Sequence, residues 1–245
     1  MNWHRIARRS AAGLALGLAG AAAHASLGGH AGYPHIPEPM VFDMIRPLGA
    51  PKGELETNVL GTAPLAESDR VTEWAPEAEY TFADGLAVEF EFPFADDRLT
   101  EYKLGLQGTL GTFDQGRSVH GLQYLGIYER AHGRYQHTLL YLLGHRYSAR
   151  WSSMSMFGLA DISGAQSRHR NDLLVNHALF YDLTERSVLG LEINYRDGHE
   201  GQVRLMPQVH YRLTHAVNLQ FGLGLNQLHG ESARPEAGLR LVREF

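Results

Sequence analysis

Period-two alternation constrains this chain more than any other feature. From Val217 to Leu225 the odd positions are Val217, Leu219, Phe221, Leu223 and Leu225, and the even ones are Asn218, Gln220, Gly222 and Gly224. After the polar stretch His229 to Pro235, Ala237, Leu239, Leu241, Arg243 and Phe245 alternate with Gly238, Arg240, Val242 and Glu244. Successive side chains of an extended chain point to opposite faces, so each segment reads as a strand with one apolar and one polar face. A polar face carrying Arg, Glu, Asn and Gln suits the water-filled interior of a barrel whose apolar face looks outward.

Ten further segments follow. Glu54–Ala63 is the first. Thr72–Phe82 sets Trp74, Ala78, Tyr80 and Phe82 against Glu73, Glu77 and Glu79. Asp84-Gly85, a strong hairpin signal, joins it to Leu86–Phe94, where Leu86, Val88, Phe90, Phe92 and Phe94 oppose Ala87, Glu89 and Glu91. Leu99–Phe113 sets Tyr102, Leu104, Leu106 and Leu110 against Lys103, Gln107 and Thr109. Ser118–Arg130, Arg134–Tyr147 and Trp151–Ile162 are apolar on both faces in places, which leaves their facing open. Asp172–Asp182, Leu189–Arg196 and Val203–Arg212 bring the count to about twelve, an even number as single-chain bacterial barrels require. Pro76, Pro93 and Pro207 lie inside these segments and are expected to mark bulges or strand ends, because proline has no N–H for a ladder.

The connections sort by parity. Ala83–Gly85, Asp114–Arg117, Ser148–Arg150, Leu183–Arg186 and Leu213–Ala216 are all short, as periplasmic turns are. The other set holds the longest loops, around Ser163–Arg170 and His229–Pro235, with Ala63–Val71. Tyr80, Tyr181 and Tyr211 stand just before short turns, where an interfacial aromatic girdle belongs.

The N-terminus gives an address. Arg5, Arg8 and Arg9 precede the small, apolar run Ser10 to Ala22, and Ala23-His24-Ala25 offers a cleavage site, so residues 1–25 read as a secretory signal peptide. Its removal leaves 19 basic against 27 acidic residues, a formal charge of −8, which argues against nucleic-acid binding. There is no cysteine, hence no disulfide and no Cys-based metal site. Residues 26–53 carry Pro34, Pro37, Pro39, Pro47 and Pro51 and read as an extended periplasmic segment or lumen plug, with a short helix near Val41 to Ile45. His30 and His35 in it, with His24 of the cleaved peptide, have no metal-ligand spacing, and residues 54–245 are expected to form the barrel.

The stretch Glu79-Tyr80-Thr81-Phe82-Ala83-Asp84-Gly85-Leu86-Ala87-Val88-Glu89-Phe90-Glu91-Phe92-Pro93-Phe94, with Tyr102-Lys103-Leu104-Gly105 after it, resembles the outer-membrane β-barrel family named for the meta-pathway of phenol degradation. The resemblance implies a transmembrane antiparallel up-and-down barrel and uptake of aromatic or other hydrophobic compounds. The terminal Phe245 is similar to the C-terminal signature that the barrel-assembly machinery reads in outer-membrane barrels of Gram-negative bacteria.

The residues expected to line the lumen are Glu77, Glu79, Glu89, Glu91, Lys103, Arg204, Arg212 and Arg240. In one reading the acidic row and the basic row, on opposite walls, set up a transverse field in a constriction. In the other they pair across a narrow lumen or with the N-terminal segment and satisfy one another. Loop histidines His132, His169, His199 and His229 are weighed as a metal site against plain solvation. Gly105, Gly108, Gly111 and Gly158 read as kink or close-packing glycines. Ser152, Ser153 and Ser155, with His137 or His177 within reach, show no Ser-His-acid spacing, so a hydrolase is the remote alternative. The expectation is a non-enzymatic outer-membrane channel or passive transporter for small, hydrophobic or aromatic solutes, with a closed structural or interaction barrel as the alternative. No cofactor or metal is expected. The expected partners are outer-membrane lipid, the assembly machinery through Phe245 and a small-molecule solute.

Overall fold

The computed structural model describes residues 32–42, 44–66, 71–162, 171–198 and 201–245. Fourteen strands make one antiparallel sheet: β1 (Leu55–Pro64), β2 (Glu73–Ala83), β3 (Leu86–Glu91), the two-residue β4 (Phe94–Ala95) and β5 (Arg98–Leu99), β6 (Glu101–Phe113), β7 (Ser118–Glu129), β8 (Arg134–Arg146), β9 (Trp151–Ala160), β10 (Asp172–Asp182), β11 (Ser187–Arg196), β12 (Gln202–Arg212), β13 (Val217–Leu228) and β14 (Arg234–Glu244). The tiny β4 and β5 only extend the link from β3 to β6; the other twelve are staves. Each stave pairs with its sequence neighbours, and β1 pairs with both β2 and β14. The closing register runs from Glu56↔Glu244 to Pro64↔Glu236, so the sheet is a closed barrel of twelve strands.

Alternation decides the faces. Tyr80, Phe82, Phe90, Leu104, Leu191, Leu205, Phe221 and Leu239 are exposed on the outside, while Glu79, Thr81, Glu89, Gln107, Glu192, Gln208, Gln220 and Arg240 are buried inside. The three strands of open facing, β7 to β9, turn Leu125, Leu140, Leu142, Met154 and Met156 inward. They are apolar on both faces because the interior there is filled by protein rather than water. At one end the sheet closes through short turns after β2, β6, β8, β10 and β12. The outward Tyr80 and Tyr211 are exposed near this end, and Arg150 Nη1 donates to Tyr181 Oη at 3.0 Å. At the other end Tyr102, Tyr128 and Tyr135 form a row, with ring centroids 6.4 and 4.8 Å apart. Two aromatic girdles thus flank the apolar band.

Three local expectations need correcting. The segment Leu86–Phe94 is not one strand: β3 stops at Glu91, ahead of Pro93, and Phe94 starts β4. Pro76 and Pro207 sit in strands with no shift of register, since Val59↔Pro76 and Leu191↔Pro207 continue their ladders. The irregularities lie instead at Thr81/Ala83 and at Thr109/Gly111, where Gly111 has φ +141°. The described residues of the stretch 41–45 form no helix, and the described residues as a whole contain none; Asp43 lies outside them. The proposed signal peptide, His24 and His30 lie outside the described residues.

Closure yields a direct expectation. Unboiled protein in SDS should migrate faster than boiled protein, and a chain lacking Arg234–Phe245 should show one mobility only, because β1 and β13 would each lose a partner.

Candidate functional site

The lumen is occupied by the chain's own N-terminal segment, Tyr33 to Ala50. Pro34, Pro37, Pro39 and Pro47 fix φ and withhold N–H donors, so the segment can make no helix and leaves few backbone donors to satisfy. It enters at the short-turn end, where Arg146 Nη1 donates to His35 O at 2.8 Å. It is deepest at Met40–Phe42. It returns to the same end, where Gly49 N donates to Thr109 Oγ1 at 2.9 Å and Gly85 N to Ala50 O at 2.8 Å. Gly49 has φ +87°, and the ring of Tyr33 stands where its Cβ would be, so entry and exit touch.

The deepest turn is held by one carboxylate. Glu192, fully buried on β11, accepts N–H bonds from Met40 (3.0 Å), Val41 (3.2 Å) and Phe42 (2.7 Å). Asn194 Nδ2 (2.9 Å) and Gln208 Nε2 (3.1 Å) donate to it as well. Three successive amides converging on an anion form a nest, and here the anion belongs to the barrel wall. Glu192 was readable as the polar face of its strand, but its role was not, because its donors lie about 150 residues earlier in the chain.

The apolar side chains of the segment seat on glycines of the wall. A Cβ on Gly222 or Gly238 would lie 2.7 Å from Met40 Cε, one on Gly105 would lie 2.5 Å from Ile45 Cδ1, and one on Gly144 would lie 2.4 Å from Ile36 Cδ1. Gly105 is therefore a close-packing glycine whose neighbour is the plug. Ile36, Phe42, Met44 and Leu48 complete an apolar cluster with Leu140, Leu142, Met154, Met156 and Phe180.

The opposite side is ionic. Arg46 of the plug pairs with Glu56, with Glu54 at 2.9 Å and with Glu79 at 3.9 Å. Gln107 Nε2 donates to Arg46 O at 2.6 Å. Arg240 donates through Nη1 to Pro39 O at 3.1 Å and through Nε to Asn58 Oδ1 at 3.2 Å. Its Nη2 lies 3.5 Å from Glu77 and 3.6 Å from Glu79. The carboxylates of Glu77, Glu79 and Glu89 come within 4.8 Å of one another, beside this guanidinium. Glu91 pairs with Lys103 at 2.8 Å and Arg204 with Glu236 at 2.8 Å, while Arg212 lines the short-turn mouth. Acidic and basic residues therefore do not face each other across the lumen as two rows. Because β14 closes on β1, Arg240 of the last strand and Glu77 and Glu79 of the second share one wall, and the charges pair along it. Breaking such a buried pair from one side costs about 3–5 kcal/mol.

Two spaces remain. One of about 200 Å³ opens at the short-turn mouth, between the plug and β11–β14, beside Glu38, Glu56, Arg212, His215, Gln220 and Glu244. The other, about 190 Å³, opens at the long-loop end beside Thr62, Glu73, Asn226, Arg234 and Glu236. Burial beside Glu56 pushes the Glu38 carboxyl up to about 8, against the opposite pull of Arg46 and Arg240. Its Oε1 is buried with no hydrogen-bond partner among the described residues.

The other candidates are simpler. His132 Nδ1 lies 2.5 Å from Glu129 Oε1 and His229 is exposed, while His169 and His199 fall outside the described residues. Ser155 Oγ lies 2.8 Å from His177 Nδ1 on the outer face, and the imidazole makes no further hydrogen bond among the described residues, so no acid orients it as a triad would need.

A family described as HAEPLYID-like matches residues 34–108, which take in the plug, β1 to β3 and the first part of β6. Among solved structures, the KdgM porin is 8% identical at a TM-score of 0.61, covering 78% of this chain and 99% of that one. The NanC porin is 10% identical at 0.59, covering 76% and 97%. An outer membrane channel from Pseudomonas putida F1 is 15% identical at 0.60, covering 83% and 100%. At these identities the shared feature is the barrel fold. No curated protein matches the chain.

The chain has no cysteine, so Val41→Cys gives a clean probe of the plug. Adding Glu192→Ala should speed its labelling by a water-soluble maleimide at least tenfold, since one hydrogen bond to a charged group is worth about 1.5–3 kcal/mol. Equal labelling rates in the two backgrounds would show that Glu192 does not hold the turn.

Proposed function

We propose that this protein is an outer-membrane channel of a Gram-negative bacterium, exported through a cleaved signal peptide and carrying small solutes passively past a re-entrant plug. The carrying observation is the divided lumen: an ionic wall on β14, β1, β2 and β3, an apolar wall on β7 to β10, and between them a segment held by side chains rather than by the sheet. Solutes with an apolar body and a polar end match both walls once the plug shifts. This agrees with the hydrophobic or aromatic substrates implied by the likeness to the phenol meta-pathway barrels. Transport needs no catalytic group, and the solved channels and porins of like fold support that reading. The exposed Phe245, whose N–H donates to Leu55 O at 2.9 Å and whose ring carries Arg243 4.7 Å above it, is the proposed contact for the assembly machinery.

A closed barrel is the second reading, favoured by the double anchoring of the plug at Glu192 and at Arg46 with Arg240. Single-channel recording in planar bilayers separates the two. The channel reading expects discrete openings, more frequent or larger in Glu192→Ala; no conductance in either protein leaves the closed barrel standing.

Glu38 adds a pH dependence to the same recording. Its carboxyl sits at about 8 when docked, against an ordinary 4.5, so the docked plug holds a proton that the released plug gives up. Docking is strongest below about 4.5 and weakens as pH rises toward about 8. Open probability should rise over that window and the rise should flatten in Glu38→Gln. An unchanged profile in the variant would show that Glu38 does not carry the dependence.

A further inference from the structure

The outer face of the barrel is not uniform. At mid-strand, β11 to β13 present Leu191, Ile193, Leu205, Phe221 and Leu223 outward, all apolar and exposed. β7 to β10 present hydrogen-bonded polar pairs spread along their outer face, from His120, third in β7, and His137, fourth in β8, to His177 at the centre of β10. His120 Nδ1 lies 2.8 Å from Tyr141 Oη, Tyr124 Oη lies 2.6 Å from His137 Nδ1, and Ser155 Oγ lies 2.8 Å from His177 Nδ1. His177 is the central residue of β10, and Tyr124 stands opposite Leu139 near the middle of β7 and β8. Each imidazole uses one nitrogen, and the Nε2 atoms of His120, His137 and His177 have no partner among the described residues.

We propose that this face, the outer surface of β7 to β10, is buried against a second copy of the same chain. The inference rests on the membrane placement proposed above. Hydrocarbon offers an unpaired ring nitrogen nothing, and leaving it there costs free energy. Only another membrane-spanning protein reaches this depth. The patch is complementary to itself: neutral imidazoles and hydroxyls each donate and accept, so a two-fold contact lets either copy supply what the other lacks. Ser153, Ser155 and Gly126 add small residues on the same outward face, the composition that lets membrane segments approach closely.

The test is native mass spectrometry of the full mature chain in mild detergent and in lipid nanodiscs, with unboiled and boiled gel samples beside it. The native chain is expected at twice its own mass. Tyr124→Phe/His137→Leu/Ser155→Ala/His177→Leu should return to the single mass while keeping its heat-dependent gel shift, and Phe221→Ala/Leu239→Ala, on the far outer face, should stay doubled. A native chain of single mass in both media overturns the proposal. So does a quadruple variant that stays doubled, or a complex containing a different polypeptide. If the quadruple variant loses its gel shift, Ser155→Ala/His177→Leu is read in its place. A native chain with no gel shift counts against the membrane barrel itself, which separates the failure of that reading from the failure of the interface.

Discussion

A backbone N–H or C=O facing hydrocarbon has no water to bond, so every such group on a membrane wall must find another strand. The ladder between β1 and β14 meets that demand for the two strands that would otherwise be edges. Everything else follows from it. Closure forces an inside and an outside, gives alternation its meaning, and brings residues from the two ends of the chain onto one wall. Arg240 meets Glu77 and Glu79 only because the last strand lies beside the first.

The plug obeys the same accounting with different means. Its prolines lower the number of donors it must satisfy, and the remaining amides at its deepest turn go to Glu192. Its two basic contacts, Arg46 within it and Arg240 beneath it, are shared among Glu56, Asn58, Glu77 and Glu79 of β1 and β2, Glu54 just before β1, and the plug's own carbonyl at Pro39. The lumen is thus filled by a polar skeleton on one side and by side chains seated on bare backbone on the other.

Much of this was legible in the sequence. Alternation located the staves with ends off by up to about three residues, and for β2 and β3 it also gave the inward carboxylates, since Glu79, Glu89 and Glu91 are flanked by outward aromatics. It failed for β7 to β9, where a lumen packed with Ile36, Phe42 and Met44 selects Leu and Met on the inner face too. Period two cannot distinguish two apolar faces. The pairing of charges along one wall was equally out of reach, because it depends on barrel closure rather than on spacing within a strand. The seat glycines carried a signal, close packing, but not the identity of what packs there: Met40 and Gly238 are nearly 200 residues apart.

The plug enters and leaves through the same mouth, and this bears on how the molecule can be put together. No part of the segment has to be threaded through the ring of strands. The staves can close first, and the tethered loop can then fold inward from the mouth where both its ends, Tyr33 and Ala50, lie, with its last contacts made at Glu192. Withdrawal is the same path run backward. It needs no strand to separate from its neighbour, so the barrel can change its bore while its wall stays intact.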